Sequence, residues 1–120
     1  MTLRQRAKLI APELLIAECA NILWKKVRLD ELSKAEALTA APLLQAADIE
    51  LLPMRILFEA TTRMSIEIDN PAYGCIYVVM AVENKCQFVT ADQRLLRKLA
   101  QNRTLRKSAI SLIEVIKPKD

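Results

Sequence analysis

Behind Pro12, apolar residues fall at Leu15, Ala17, Cys19, Ile22 and Leu23, and this spacing predicts a helix over about 12–27. The run Ser33-Lys34-Ala35-Glu36 has the form of a capping box and predicts a second helix over about 33–46. "DIELLP" (48–53) is short and apolar enough for a buried strand ended by Pro53, with a third helix over about 54–66. Asn70 and Pro71 supply an N-cap and a first helical position for a mostly apolar helix over 71–84. "QFVTAD" (87–92) is rich in strand formers, "DQRLLRKLA" (92–100) reads as a short basic amphipathic helix, and "AISLIEV" (109–115) as a closing strand. Strands alternating with helices predict a three-layer α/β/α fold with a small parallel sheet, in one domain over 1–120. Such a domain ordinarily opens on a buried strand, whereas this chain opens on "MTLRQRAK", which is polar and helix-like.

Composition sharpens this picture mainly by exclusion. The chain has 120 residues, 52% of them apolar, which suits one folded domain. The longest apolar run, Cys75–Val82, is far short of the roughly 20 residues needed to cross a bilayer. Glu13 and Glu18 interrupt the stretch that would follow Arg4, Arg6 and Lys8 in a signal peptide, so the expected location is cytoplasmic, with no membrane partner. Three cysteines (Cys19, Cys75, Cys86) without paired metal spacing suit buried thiols in a reducing compartment. The absence of histidine rules out Ser–His and Cys–His catalysis and His-bearing zinc sites, and a single glycine rules out Walker and dinucleotide-binding loops. Carboxylates remain, and they point first to hard cations such as Mg²⁺ or Mn²⁺.

Net charge is +4 and unevenly spread. Residues 1–10 carry three basic groups and no acid, residues 93–120 carry eight basic groups against Glu114 and Asp120, and the middle holds twelve acids against seven bases. Acids flanked by basic ends suit a metal-holding protein that grips phosphates, and equally suit ordinary solvated helix faces.

Three positions stand out. Asp92 follows "FVTA" at the carboxyl end of an expected strand, where it can cap the next helix or face a crevice. Glu18 sits among Leu14, Leu15, Ala17, Cys19, Ile22 and Leu23, where a carboxylate must pair, bind metal or take up a proton. Gly74, the only glycine, lies one turn into the apolar helix, where glycine costs roughly 1 kcal/mol against alanine. Glu13, Asp48, Glu50, Glu59, Glu67 and Glu83 read as surface acids, Tyr73 and Tyr77 as core packing, and Trp24 as an anchor at the core's edge. Lys25, Lys26 and Arg28 complement the first helix's dipole.

Three stretches, "APELLIAECANIL" (11–23), "NPAYGCIYVVMAVENKCQFVTAD" (70–92) and "QRLLRKL" (93–99), together resemble a PIN domain of the VapC toxin type, over nearly the whole chain from about Leu9. The specific features are Pro12-Glu13-Leu14-Leu15 with Glu18 five residues past Glu13, the Tyr73–Tyr77 pair, and Thr90-Ala91-Asp92. The resemblance implies a Mg²⁺- or Mn²⁺-dependent ribonuclease whose clustered acids hold the metal and activate a water against single-stranded RNA. It matches Glu18 and Asp92 to two of the family's four acids, as catalytic and metal-binding residues. It places Gly74 where a third acid normally stands directly after the tyrosine. An opening strand with the fourth acid is expected to be missing, which makes this a shortened PIN domain.

By the same resemblance, Arg94, Arg97 and Lys98 are candidates to hold the RNA backbone, and an antitoxin of the VapB type and a second copy of the chain are candidate partners. Gly74 reads first as a lost ligand position and second as room for a close backbone or ligand approach. With two of four acids matched, hydrolysis is expected to be weakened or lost. The alternative is a non-catalytic protein- or RNA-binding module that keeps the fold.

Overall fold

A computed structural model describes residues 8–116. The helix-like reading of "MTLRQRAK", apart from Lys8, and the basic groups Lys117 and Lys119 lie outside the described residues. The protein is mixed α/β, with 61% of the described residues helical, and it divides into two compact units, residues 1–53 and 54–120.

The first unit runs β1 (Ile10–Pro12), α1 (Leu14–Arg28), α2 (Lys34–Gln45) and β2 (Glu50–Leu52). β1 and β2 pair in parallel, with Ile10 opposite Glu50 and Pro12 opposite Leu52. β1 corrects the sequence reading, which starts a helix at Pro12 and finds no strand there. The continuous apolar run Leu9–Pro12 is what a buried parallel strand requires. Pro12 ends that strand, where its missing N–H costs no ladder bond, and the next amide, Glu13 N–H, donates to the Leu52 carbonyl at 3.2 Å. Ala11 and Pro12 are buried, whereas α1 and α2 contain no buried residue.

At the start of α2 the capping box forms as read. Glu36 N–H donates to Ser33 Oγ at 3.0 Å, and Ser33 N–H donates to Glu36 Oε1 at 2.8 Å. Ser33's backbone and side-chain hydrogen bonds hold the Glu36 carboxyl below its ordinary range. The α1–α2 turn passes through Asp30 in the left-handed region (φ 57°) and is closed by the Lys26 carbonyl, which accepts from Glu31 and Leu32.

The second unit contains a 3₁₀ turn (Arg55–Leu57), α3 (Phe58–Ile68), α4 (Ala72–Glu83), β3 (Phe88–Thr90), α5 (Gln93–Ala100), β4 (Ala109–Ser111) and α6 (Leu112–Ile116). β3 and β4 pair in parallel around α5, with Val89 opposite Ile110. Among the described residues the structure therefore holds two two-stranded sheets where the sequence suggests one. The last segment splits because Ser111 ends the strand and turns its hydroxyl to accept the Ile113 amide at 3.3 Å, a helix-opening bond that the apolar run "AISLIEV" conceals.

Most of the buried apolar residues belong to this unit. Leu57, Met64, Cys75, Val78, Val79, Met80, Ala81, Leu95, Leu99 and Leu105 are all buried. α4 is apolar on nearly every side, buries Cys75 and Val78 to Ala81 along its middle, and packs chiefly on α3. On its β3 side, Tyr77 stacks on Phe88 with ring centroids 5.2 Å apart. α5 is sharply two-faced, burying Leu95 and Leu99 and exposing Arg94 and Arg97. No helix among the described residues is long and apolar enough to cross a membrane.

Candidate functional site

Asp92 stands where the sequence places it, directly after β3, and the local chain explains why. Thr90 Oγ1 accepts from Asp92 N–H at 3.0 Å, which turns the backbone out of the strand. The Asp92 carboxylate then accepts the Leu95 amide at 3.1 Å and caps α5. One carboxylate oxygen is thus committed to the helix, while the residue as a whole is exposed.

Next to α5 lies a polar corner that the sequence reading does not identify. Between α3 and α4 only Asp69, Asn70 and Pro71 intervene, and Asp69 makes the turn in the left-handed region (φ 51°). Pro71, not Asn70, is the N-cap of α4, with φ −54° and ψ 143°, and Ala72 opens the helix. The proposed capping role of Asn70 is corrected accordingly, because its side chain is buried and points to other partners. Asn70 Nδ2 donates to the Pro71 carbonyl at 3.1 Å and lies 3.9 Å from Cys75 Sγ, while the Cys75 thiol donates to the Asn70 carbonyl at 3.6 Å. From α5, the Lys98 ammonium donates to the Asp69 carbonyl and to Asn70 Oδ1, the latter at 3.4 Å.

Gly74 borders this corner. A Cβ at that position would lie 3.0 Å from Asn70 Nδ2 and 3.3 Å from Leu95 Cδ2. The close neighbours are two side chains, not the backbone or ligand that the second reading of the glycine names.

Of the basic residues named from sequence, Arg94 and Arg97 are exposed and Lys98 is half-buried with its ammonium engaged as above. The turn after α5 adds Arg103, Arg106 and Lys107, all exposed. Asn102 orders that turn. Its side-chain oxygen accepts from Thr104 and Leu105 amides at 3.0 and 3.2 Å, and its amide donates to Glu67 at 2.8 Å. Leu105 is buried behind it. Among the described residues the ion pairs are Lys8–Glu50, Lys26–Glu31 and Arg63–Glu59, so the five cations from Arg94 to Lys107 other than Lys98 are unpaired. The stretch 93–113 contains no acid to neutralise them.

Glu18 belongs to the first unit, half-buried on α1. Trp24 is 56% exposed and carries the Arg28 guanidinium over its ring at 5.3 Å, which corrects its reading as a core-edge anchor. Tyr73 is 67% exposed and so is not core, whereas Tyr77 is half-buried against Phe88. Of the three free thiols only Cys75 is buried, Cys19 being half-buried and Cys86 exposed. The acids read as surface groups (Glu13, Asp48, Glu50, Glu59, Glu67 and Glu83) are all exposed.

Among the described residues no three His, Cys, Asp or Glu side chains are grouped to hold a metal ion. Asp92 gives one oxygen to its helix, and position 74 has no carboxylate. No protein-family model matches the chain, and no curated protein matches it significantly.

Proposed function

We propose that this chain is a PIN-like protein of the VapC toxin lineage, acting in the cytoplasm, in which hydrolysis of single-stranded RNA is weakened or lost and RNA binding remains. One observation carries the reading: the unpaired, exposed cations Arg94, Arg97, Arg103, Arg106 and Lys107 follow directly on Asp92. A cluster of like charges without counterions destabilises the fold until an anion covers it, and arginines match phosphate oxygens in bidentate geometry. The commitments of Asp92 and the occupied space beside Gly74 support loss of the hydrolytic step.

A second reading rests on the first unit. Ile16, Ile22, Trp24, Leu38 and Leu43 are each more than half exposed on α1 and α2. A protein partner, either an antitoxin of the VapB type or a second copy of the chain, would remove this apolar surface from water.

The test is gel retardation and cleavage of a mixed single-stranded RNA pool in Mg²⁺, Mn²⁺ or EDTA, with Asp92→Asn and Arg94→Glu/Arg97→Glu alongside. RNA retained intact in all three conditions, and released by the double charge reversal, is the expected result. Metal-dependent cleavage that Asp92→Asn abolishes would replace the binding reading with an active enzyme. Failure to retain RNA even at low salt would overturn RNA binding and leave the protein-partner reading.

A further inference from the structure

We infer that the corner joining α3, α4 and α5 is completed by its own cation, Lys98, and takes no divalent metal ion. The inference goes beyond RNA binding and does not depend on it.

The argument starts from what the corner needs. A three-residue connection between two helices leaves carbonyls directed away from either helix, and here the left-handed Asp69 presents its carbonyl outside α3. Asn70, nine-tenths buried, adds a second acceptor, Oδ1. The buried Asn70 acceptor requires a donor and a charged one satisfies it best, while the exposed Asp69 carbonyl offers the same donor a second acceptor. Lys98 supplies it to both, reaching from α5 across 29 positions of sequence to Asp69.

The other polar atoms of Asn70 are already committed, and the one carboxylate of the corner, that of Asp69, is exposed. Asn70 Nδ2 is held by the Pro71 carbonyl and lies against Cys75 Sγ. The absence of a side chain at Gly74 gives that amide its space, since even a Cβ would stand 3.0 Å from it. A carboxylate at position 74 would have to displace the Asn70 amide, which is fixed by three neighbours.

A Mg²⁺ ion demands six oxygens in near-octahedral order at about 2.1 Å and is usually held by one or two carboxylates plus water and substrate phosphates. Asp92 leads into the same α5 helix but spends one oxygen on its cap. An ammonium occupying the neighbouring acceptors disfavours a second, doubly charged cation beside it. Lys98 is thus a positioning residue, tethering α5 to the α3–α4 turn, and not a free phosphate ligand.

The experiment uses the full chain without RNA, so its outcome is separable from that of the RNA-binding test. Wild type is titrated with Mn²⁺ by calorimetry, and melting temperatures are recorded for wild type, Lys98→Met and Lys98→Arg in EDTA, Mg²⁺ and Mn²⁺. The expected result is no saturable Mn²⁺ uptake at millimolar concentration and a wild-type melting temperature that is the same in all three conditions. Lys98→Met should melt about 5 °C lower whether or not metal is present, and Lys98→Arg should recover most of the loss. Stoichiometric Mn²⁺ uptake that raises the wild-type melting temperature overturns the inference. So does a Lys98→Met variant as stable as wild type.

Discussion

The side-chain nitrogen of Asn70 lies 3.0 Å from where a Cβ on residue 74 would be, so the single glycine and the buried asparagine occupy complementary space. Glycine at this helical position forgoes about 1 kcal/mol of propensity, and the room it leaves holds an amide bonded to Pro71 and Lys98.

Replacing Gly74 with alanine therefore should not yield the usual helix gain. A Cβ contact this short against a side chain that cannot yield freely costs on the order of 1–3 kcal/mol, which outweighs the propensity term. The expected result is a variant about 1 kcal/mol less stable in urea unfolding. In an Asn70→Ser background, where a shorter hydroxyl replaces the amide, the same substitution should become neutral or stabilising. A simple stabilisation of the parent protein by Gly74→Ala would show that the corner yields more easily than its bonds indicate.

Asp92 has a structural duty that complicates its use as an activity control. Its carboxylate caps α5 through the Leu95 amide, so Asp92→Ala should cost about 1 kcal/mol by loss of the cap alone. Asp92→Asn keeps the acceptor and should retain most of that stability while removing the charge. Thermal melts of the two variants check this, and only a chemical effect shared by both can be assigned to the carboxylate.

The interior face of α5 offers a larger effect. Leu95 and Leu99 are each 1% exposed, and truncating either to alanine should destabilise the second unit by about 2–5 kcal/mol. Arg94→Ala or Arg97→Ala on the opposite face should change stability by less than about 0.5 kcal/mol. Chemical denaturation of the four variants compares the two faces directly.

The start of α2 should be pH-sensitive in a defined direction. Hydrogen bonds from Ser33 lower the Glu36 pKa in the folded chain, so the ionised carboxylate favours the fold. Its contribution is fully present above the ordinary value of 4.5 and fades as pH falls through the lower folded value. Ser33→Ala should weaken α2 at neutral pH by about 1 kcal/mol and flatten this acid-side dependence, as read by circular dichroism across pH 3–6.

Salt dependence gives the most direct reading of the basic surface. Each phosphate contact to a single strand contributes a slope of about −0.7 in log K against log salt. Reversing Arg94 and Arg97 together should lower the magnitude of that slope by at least about 1, and reversing Arg103 and Arg106 should do the same. Unchanged slopes in both variants would place any RNA elsewhere on the protein.

Much of the local structure was legible because it is decided within a few residues. The Ser33–Glu36 box, the Asp92 cap and the two-faced pattern of α5 each rest on contacts three or four positions apart, and residue type alone specifies such contacts. Strand β1 escaped the reading because three apolar residues ending in proline look the same before a helix as in a buried strand. Only pairing with β2, some forty residues away, distinguishes them. The split of the final segment at Ser111 was masked in the same way by a continuous apolar run.

The polar corner was not legible at all. Asn70 before Pro71 carries the signature of a helix cap, and a lysine on a basic helix carries that of a solvated phosphate ligand. Their actual roles follow from the return of α5 to the α3–α4 turn, 28 positions along the chain. Sequence by itself determined the charges, the presence of α1 to α5 and the capped starts of α2 and α5, because these depend on near neighbours and on residue chemistry. Tertiary structure alone decided which polar groups are committed and which remain exposed, because hydrogen bonds to distant backbone form only once the helices pack.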